Sequence, residues 1–248
     1  MMRRIGFLAL ALGMLIMYPT RGFAQFDGPN GVTTGAATSY VVTVEKFELC
    51  ADVDSSGGGC VGAFVLGTGD NTFDIASVSA GAAVGSYANN VNLPIGTTFR
   101  YVRLTLSRTF TITGVVNSVT NIGVTGNCRT GGADATGYDL ATEGTGLDTA
   151  GAPAAQKLNL ANVGGWGGGY PTYPTTVGGY NNPAVDLQSN SPSFATTWPL
   201  AAPYTVTTAR PTITLAFDTQ SALGAGSKLG DGICHMGPQP PTIVVTIK

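Results

Sequence analysis

Apolar and polar residues alternate most cleanly between Thr98 and Thr113. Val102, Leu104, Leu106, Phe110 and Ile112 fall on one side of an extended chain, while Arg103, Thr105, Ser107, Thr109, Thr111 and Thr113 fall on the other. A period of two carried by β-branched residues predicts a strand with one buried and one solvated face. Arg100 and Arg108 lie on the apolar side near its ends. There their stems are expected to cover the rim of a core while the guanidinium groups reach water. Pro94-Ile95-Gly96, just ahead, has the composition of a turn that aims the chain into this strand.

Weaker versions of the same pattern recur. Tyr40–Leu49 is rich in Val, Thr and Phe, and Val61–Leu66 and Thr72–Val78 read as two short strands separated by a turn at Gly67-Thr68-Gly69-Asp70. Val115–Val124, Gln156–Leu160, Tyr204–Thr208, Pro211–Phe217 and Thr242–Ile247 add further strand candidates. Nothing holds helical spacing for three turns. The nearest stretch, Ile75 to Tyr87, is interrupted by Gly81 and Gly85. From Arg129 to Pro203 paired and tripled Gly alternate with Tyr and Pro, which predicts long loops carrying one or two short strands, Gln156–Leu160 among them. The expectation is an all-β chain: an antiparallel β-sandwich of the immunoglobulin or jelly-roll kind, with an elaborated Gly/Pro/Tyr-rich loop region at 129–203. No repeat of fixed period suggests a solenoid or propeller.

The N-terminus changes the picture of where this fold works. Arg3 and Arg4 precede an apolar run of thirteen residues, Ile5 to Met17, and Gly22-Phe23-Ala24 supplies small residues at the positions that signal peptidase reads. Thirteen residues are too few to cross about 30 Å of hydrocarbon as a helix. Residues 1–24 therefore read as a signal peptide and 25–248 as one exported domain, secreted or at the cell surface, with the periplasm also open. Removing Arg3, Arg4 and Arg21 takes Lys and Arg from 12 to 9 against 14 Asp and Glu, a net charge of −5. Only 10% of the residues are charged. An acidic, sparsely charged chain lacks the basic footprint of a nucleic-acid binder.

All four cysteines lie in the exported part. Four cysteines allow three pairings. Asp52 to Gly59 is a turn-rich segment able to bring Cys50 and Cys60 together, which leaves Cys128 with Cys234. On the chain-entropy account the short link contributes about 3 kcal/mol and the long one about 4–5 kcal/mol.

Chemistry-bearing residues are few. Asp52, Asp54 and Ser56, with Gly57 next, set oxygens at alternate positions like the opening of a calcium loop. Position twelve, where a bidentate Glu would complete it, is Ala63. Calcium is thus a candidate ligand only if Asp70 or Asp74 joins the set, and no other cofactor is indicated. Trp166, Tyr170, Tyr173 and Tyr180, with Trp198 beyond them, are flat rings among Gly and Pro, suited to stacking on a polysaccharide or on another protein surface. The single histidine, His235, has no second imidazole near it in sequence, and no Gly-x-Ser-x-Gly elbow occurs. Asp134, Asp139, Glu143 and Asp148 share one Gly/Thr-rich stretch without a spacing that picks out an acid and a base. The solvated Thr row of 98–113 is a single row, short of the repeated array that ordering ice requires. These readings point away from an enzyme. The expectation is a non-enzymatic structural protein, a self-associating subunit of an extracellular fibre, layer or matrix. The alternative is a carbohydrate- or surface-binding adhesin module that uses the Tyr/Trp loops.

Overall fold

A computed structural model describes residues 33–54, 59–77, 92–119, 126–137, 144–160, 192–209, 211–226, 232–239 and 241–247. Among these residues the chain forms strands, turns and irregular segments, with no helix. The strands are β1 (Thr33–Gly35), β2 (Ala37–Cys50), β3 (Asp52–Val53), β4 (Cys60–Val61), β5 (Phe64–Asp74), β6 (Thr98–Ser107), β7 (Thr109–Val116) and β8 (Cys128–Ala133). They continue with β9 (Gly144–Leu147), β10 (Gln156–Asn159), β11 (Ser193–Thr205), β12 (Ile213–Asp218), β13 (Leu223–Gly226), β14 (His235–Pro238) and β15 (Thr242–Ile247).

The clean alternation of 98–113 becomes β6 and β7, which run as one long line along β2. Cys50 pairs with Tyr101 at one end and Ala37 with Gly114 at the other. Val102, Leu104, Leu106, Phe110 and Ile112 are all buried, and the row continues through Val116. At about 1.5–3 kcal/mol for each large apolar side chain removed from water, this row is a major source of cohesion. β2 shows why a strand can lose its alternation and keep its core. Tyr40, Val42 and Val44 are buried at even positions, Phe47 and Leu49 at odd ones. Between them the register with β6 shifts, Val44 facing Leu106 and Lys46 facing Thr105, so Glu45 is the extra residue of a bulge. One inserted residue turns every later side chain to the other face.

The same bulge explains a departure from the sequence expectation. Gly67-Thr68-Gly69-Asp70 is not a turn between two strands. It lies inside β5, which runs unbroken from Phe64 to Asp74 beside β2. Gly69, at φ +109°, sits where the β2–β5 register shifts opposite Glu45, so the glycine serves a bulge that only a residue without Cβ accepts readily. Ile75 to Ser77, the start of the weak helical stretch, form a turn. The turn at Pro94-Ile95-Gly96 is present, closed by Thr97 N–H donating to the Pro94 carbonyl at 3.2 Å.

The described residues of the region expected to be mainly loops form four strands, of which only Gln156–Asn159 was expected. β8 and β9 pair with each other, β10 lies against β7, and β11 lies against β6. Glycine hides β9 from a hydrophobicity pattern. A Cβ on Gly144 would strike the Leu158 side chain, and one on Gly146 would strike Met236. The core space next to these residues is filled from β10 and β14, so Leu147 is the strand's one large apolar side chain and no alternation shows. Trp198, expected with the exposed aromatics, is instead buried in β11 opposite Val102.

The main ladder follows the order β1-β13-β14-β9-β8-β7-β2-β6-β11-β15-β12, with β10 added on β7 and β5 on β2. β1 and β2 are separated only by Ala36, so the path from β1 through β13, β14, β9, β8 and β7 to β2 returns to its own start. The strands are not all antiparallel. β15 meets β11 in parallel through Leu200 and Val245, which makes the sheet mixed. β15 pairs antiparallel with β12 on its other side along six consecutive residues.

Both expected disulfides are present, Cys50–Cys60 with Cα atoms 5.2 Å apart and Cys128–Cys234 at 5.9 Å. The first closes the small β3–β4 hairpin. The second ties the start of β8 to the residue before β14, across β9, which pairs with both. Two such links fit an oxidising compartment, extracellular or periplasmic.

Candidate functional site

Asp52 and Asp54 do stand together on the hairpin that Cys50–Cys60 closes. Asp52 Oδ1 accepts from the N–H of Val53 at 2.9 Å, and the Asp54 N–H donates to the Gly59 carbonyl at 2.9 Å. Ser56 lies outside the described residues. The two acids needed to complete a calcium shell are elsewhere. Asp70 lies in the exposed middle of β5, and Asp74 ends that strand opposite Val41, far along β2 from Cys50. Among the described residues no group of three His, Cys, Asp or Glu side chains is placed to hold a metal ion.

Asp74 is a structural cap. Its carboxylate accepts from the Ser39 hydroxyl at 2.7 Å and from the backbone N–H groups of Tyr40, Ala76 and Ser77 at 2.9, 3.1 and 3.3 Å. Partial burial raises its pKa, but the hydrogen bonds from Tyr40, Ser39, Ala76 and Ser77 outweigh that and hold it below the usual carboxylate value. Tyr40 itself is buried, and burial pushes its phenol far above its ordinary pKa. Its hydroxyl donates to the Gln239 carbonyl at 3.1 Å.

Of the carboxylates of the Gly/Thr-rich stretch, Asp134 and Asp148 are described, and each serves a different part of the structure. Asp134 accepts the Lys157 N–H at 2.8 Å and so fastens β10, while Asp148 lines a cavity with Arg129. Asp139 and Glu143 lie outside the described residues, as do Trp166, Tyr170, Tyr173 and Tyr180. The cavity holds about 290 Å³ between Val115, Asn127, Cys128, Arg129 and Leu147 and the 148–151 turn. Arg129 closes one side of it by donating to its own chain: Nε to the Thr149 carbonyl at 2.8 Å, Nη1 to the Ala152 carbonyl at 2.8 Å and Nη2 to the Thr149 hydroxyl at 3.2 Å. His235 is buried in β14 between Thr145 and Gly226.

One fully buried polar side chain was misjudged from sequence. Arg108, expected to reach water from the core rim, has no solvent exposure at all. Its backbone N–H donates to the Pro192 carbonyl at 2.8 Å, and its own carbonyl accepts from the Leu160 N–H at 2.8 Å. Its guanidinium turns back onto the Leu160 carbonyl, with Nε at 2.9 Å and Nη2 at 2.5 Å. One residue therefore binds both ends of the 161–191 segment, at the junction where β10 stops and β11 begins. The available signal was its position: Arg108 occupies an even place between Val102, Leu104 and Leu106 on one side and Phe110 and Ile112 on the other, all apolar. Gln156 is a second such residue. It is buried, with its amide oxygen accepting from Gly131 at 3.0 Å and its amide nitrogen donating to the Ala133 and Thr145 carbonyls, so it stitches β8, β9 and β10.

Among the described residues no helix is long and apolar enough to cross a membrane. No protein-family model matches the chain, and no curated protein or solved structure matches it.

Proposed function

We propose that the chain is an exported, non-enzymatic structural protein, a self-associating subunit of an extracellular fibre, layer or matrix. In this reading residues 25–248 form one domain whose strands pack as a β-sandwich. The observation that carries it is the use made of the charged side chains. Arg108, Arg129, Asp74 and Asp134 all hydrogen-bond to the protein's own backbone. Glu45 accepts from the Ser193 hydroxyl at 2.6 Å, and Lys46 pairs with Glu48 at 2.7 Å. Such groups hold strands and turns in place, and a sparsely charged surface lets like subunits approach without strong repulsion.

Electron microscopy of the purified, oxidised protein across salt and calcium concentrations tests the reading. Ordered fibres or sheets are expected, and dispersed monomers under every condition would overturn it. Specific retention on a glycan array by protein that stays monomeric would favour the adhesin reading instead.

A further inference from the structure

The edges of the ladder are finished in different ways. β5 carries two register shifts, a glycine at φ +109° and the exposed Asp70, features that blunt an edge against further pairing. β10 is covered on its outer side, where Ala135 N–H donates to the Lys157 carbonyl at 2.9 Å and Lys157 N–H donates to Asp134. β12 has neither protection. It pairs with β15 residue for residue from Ile213 to Asp218, and among the described residues no strand lies on its other side. Ile213 to Phe217 carry no charge, and the strand has no bulge.

Such an edge is complementary to an extended strand, because its outward N–H and C=O groups form a ladder only with another backbone. We propose that β12 pairs with β12 of a second copy of this chain, antiparallel about a two-fold axis through Leu215. This rests on the self-associating reading above and names its contact. The register follows from the two faces. Ile213 and Leu215 point into the core and Thr214 and Ala216 away from it, so matching core face to core face requires residues of like parity to oppose each other. Centring on Leu215 sets Ile213 against Phe217 of the second copy and Thr214 against its Ala216. The single charge, Asp218, then falls opposite Thr212 rather than another acid. On the outer face Val244, 50% exposed beside Ala216, extends the neutral surface. A two-fold contact of this kind closes on itself, so it makes dimers, and a fibre or layer grows from those dimers through a second contact.

Sedimentation velocity over a range of concentrations tests the proposal on three oxidised proteins. The wild type is expected to dimerise. Thr214→Lys with Ala216→Lys sets like charges directly opposite across the two-fold axis twice and is expected to weaken the dimer by about tenfold. Thr214→Glu with Ala216→Lys sets opposite charges in the same places and is expected to restore wild-type association. A wild type that stays monomeric at every concentration overturns both this contact and the self-associating reading. A dimer that survives the double Lys change overturns the β12 contact alone. Hydrogen exchange on the wild type guards against a variant that fails to fold: amides of 213–218 should slow as the dimer forms, and unchanged exchange there overturns the contact.

Discussion

Arg108 offers the sharpest test of how this protein is held together. Truncation to Ala removes two buried methylene groups, Cγ and Cδ, at about 0.8 kcal/mol each. It also takes the charged donors from the Leu160 carbonyl, and a buried acceptor left without its donor costs about 1–3 kcal/mol. The expected loss for Arg108→Ala is therefore about 4 kcal/mol, a large part of the ~5–15 kcal/mol by which a domain is normally stable. Arg108→Met keeps the stem, loses the donors and also removes the desolvation cost of the charge, so its loss should be smaller, about 1–2 kcal/mol. The assay is equilibrium urea unfolding of the oxidised protein, comparing midpoints at constant slope. A Met variant as stable as the wild type would mean that desolvation of the guanidinium cancels its bonds to Leu160. An Ala variant within about 1 kcal/mol of the wild type would refute the packing argument as well.

Replacing Cys128 and Cys234 together by Ala should cost about 4–5 kcal/mol in the same assay, against about 3 kcal/mol for Cys50 and Cys60, because the longer link restrains more of the unfolded chain; the reverse order would contradict that account. Asp74 has a folded pKa below its unfolded one, so its contribution is fully present above the unfolded pKa and is lost as pH falls through the folded value. Asp74→Asn should therefore be less stable than the wild type at pH 7, and the gap in urea midpoint should close as the solution is acidified below the carboxylate range. Gly144→Ala should destabilise by about 1–3 kcal/mol through overpacking against Leu158. Combined with Leu158→Ala it should cost less than the sum of the two single changes, and strict additivity would place the collision elsewhere.

What the amino-acid pattern revealed and what it hid have one physical cause. A strand is legible when its own side chains fill the core at alternate positions, as Val102 to Ile112 do and as Ile213 and Leu215 do in β12. The disulfide pairs were legible for a related reason: loop composition between Cys50 and Cys60 fixes one link, and the other follows. β9 was invisible because Leu158 and Met236 occupy the space its glycines leave. β5 looked like two strands because the residues that suit a turn, Gly67 to Asp70, equally suit a bulge. Arg108 was misplaced because snorkelling is the usual fate of an arginine among apolar residues. Here the carbonyl that needs it lies inside, at the point where two strands meet end to end.

The candidate site followed the same division. Of the aspartates weighed as metal or acid–base groups, Asp52 and Asp54 sit on the β3–β4 hairpin, Asp70 and Asp74 on β5, Asp134 against β10 and Asp148 beside Arg129, since sequence proximity says nothing about which edge of a long sheet a residue reaches. In a chain with so few charges, Arg108, Arg129, Asp74 and Asp134 are committed to closing turns or joining strands. That commitment also bears on assembly. Charges spent inside are missing from the edges, and among the described residues β12 presents five uncharged residues without the bulge or side-chain cover that guards β5 and β10. An edge of that kind in an exported protein is either a hazard or a joint. The parity of Ile213, Leu215 and Phe217, which lets two copies meet core face to core face without opposing acids, favours a joint.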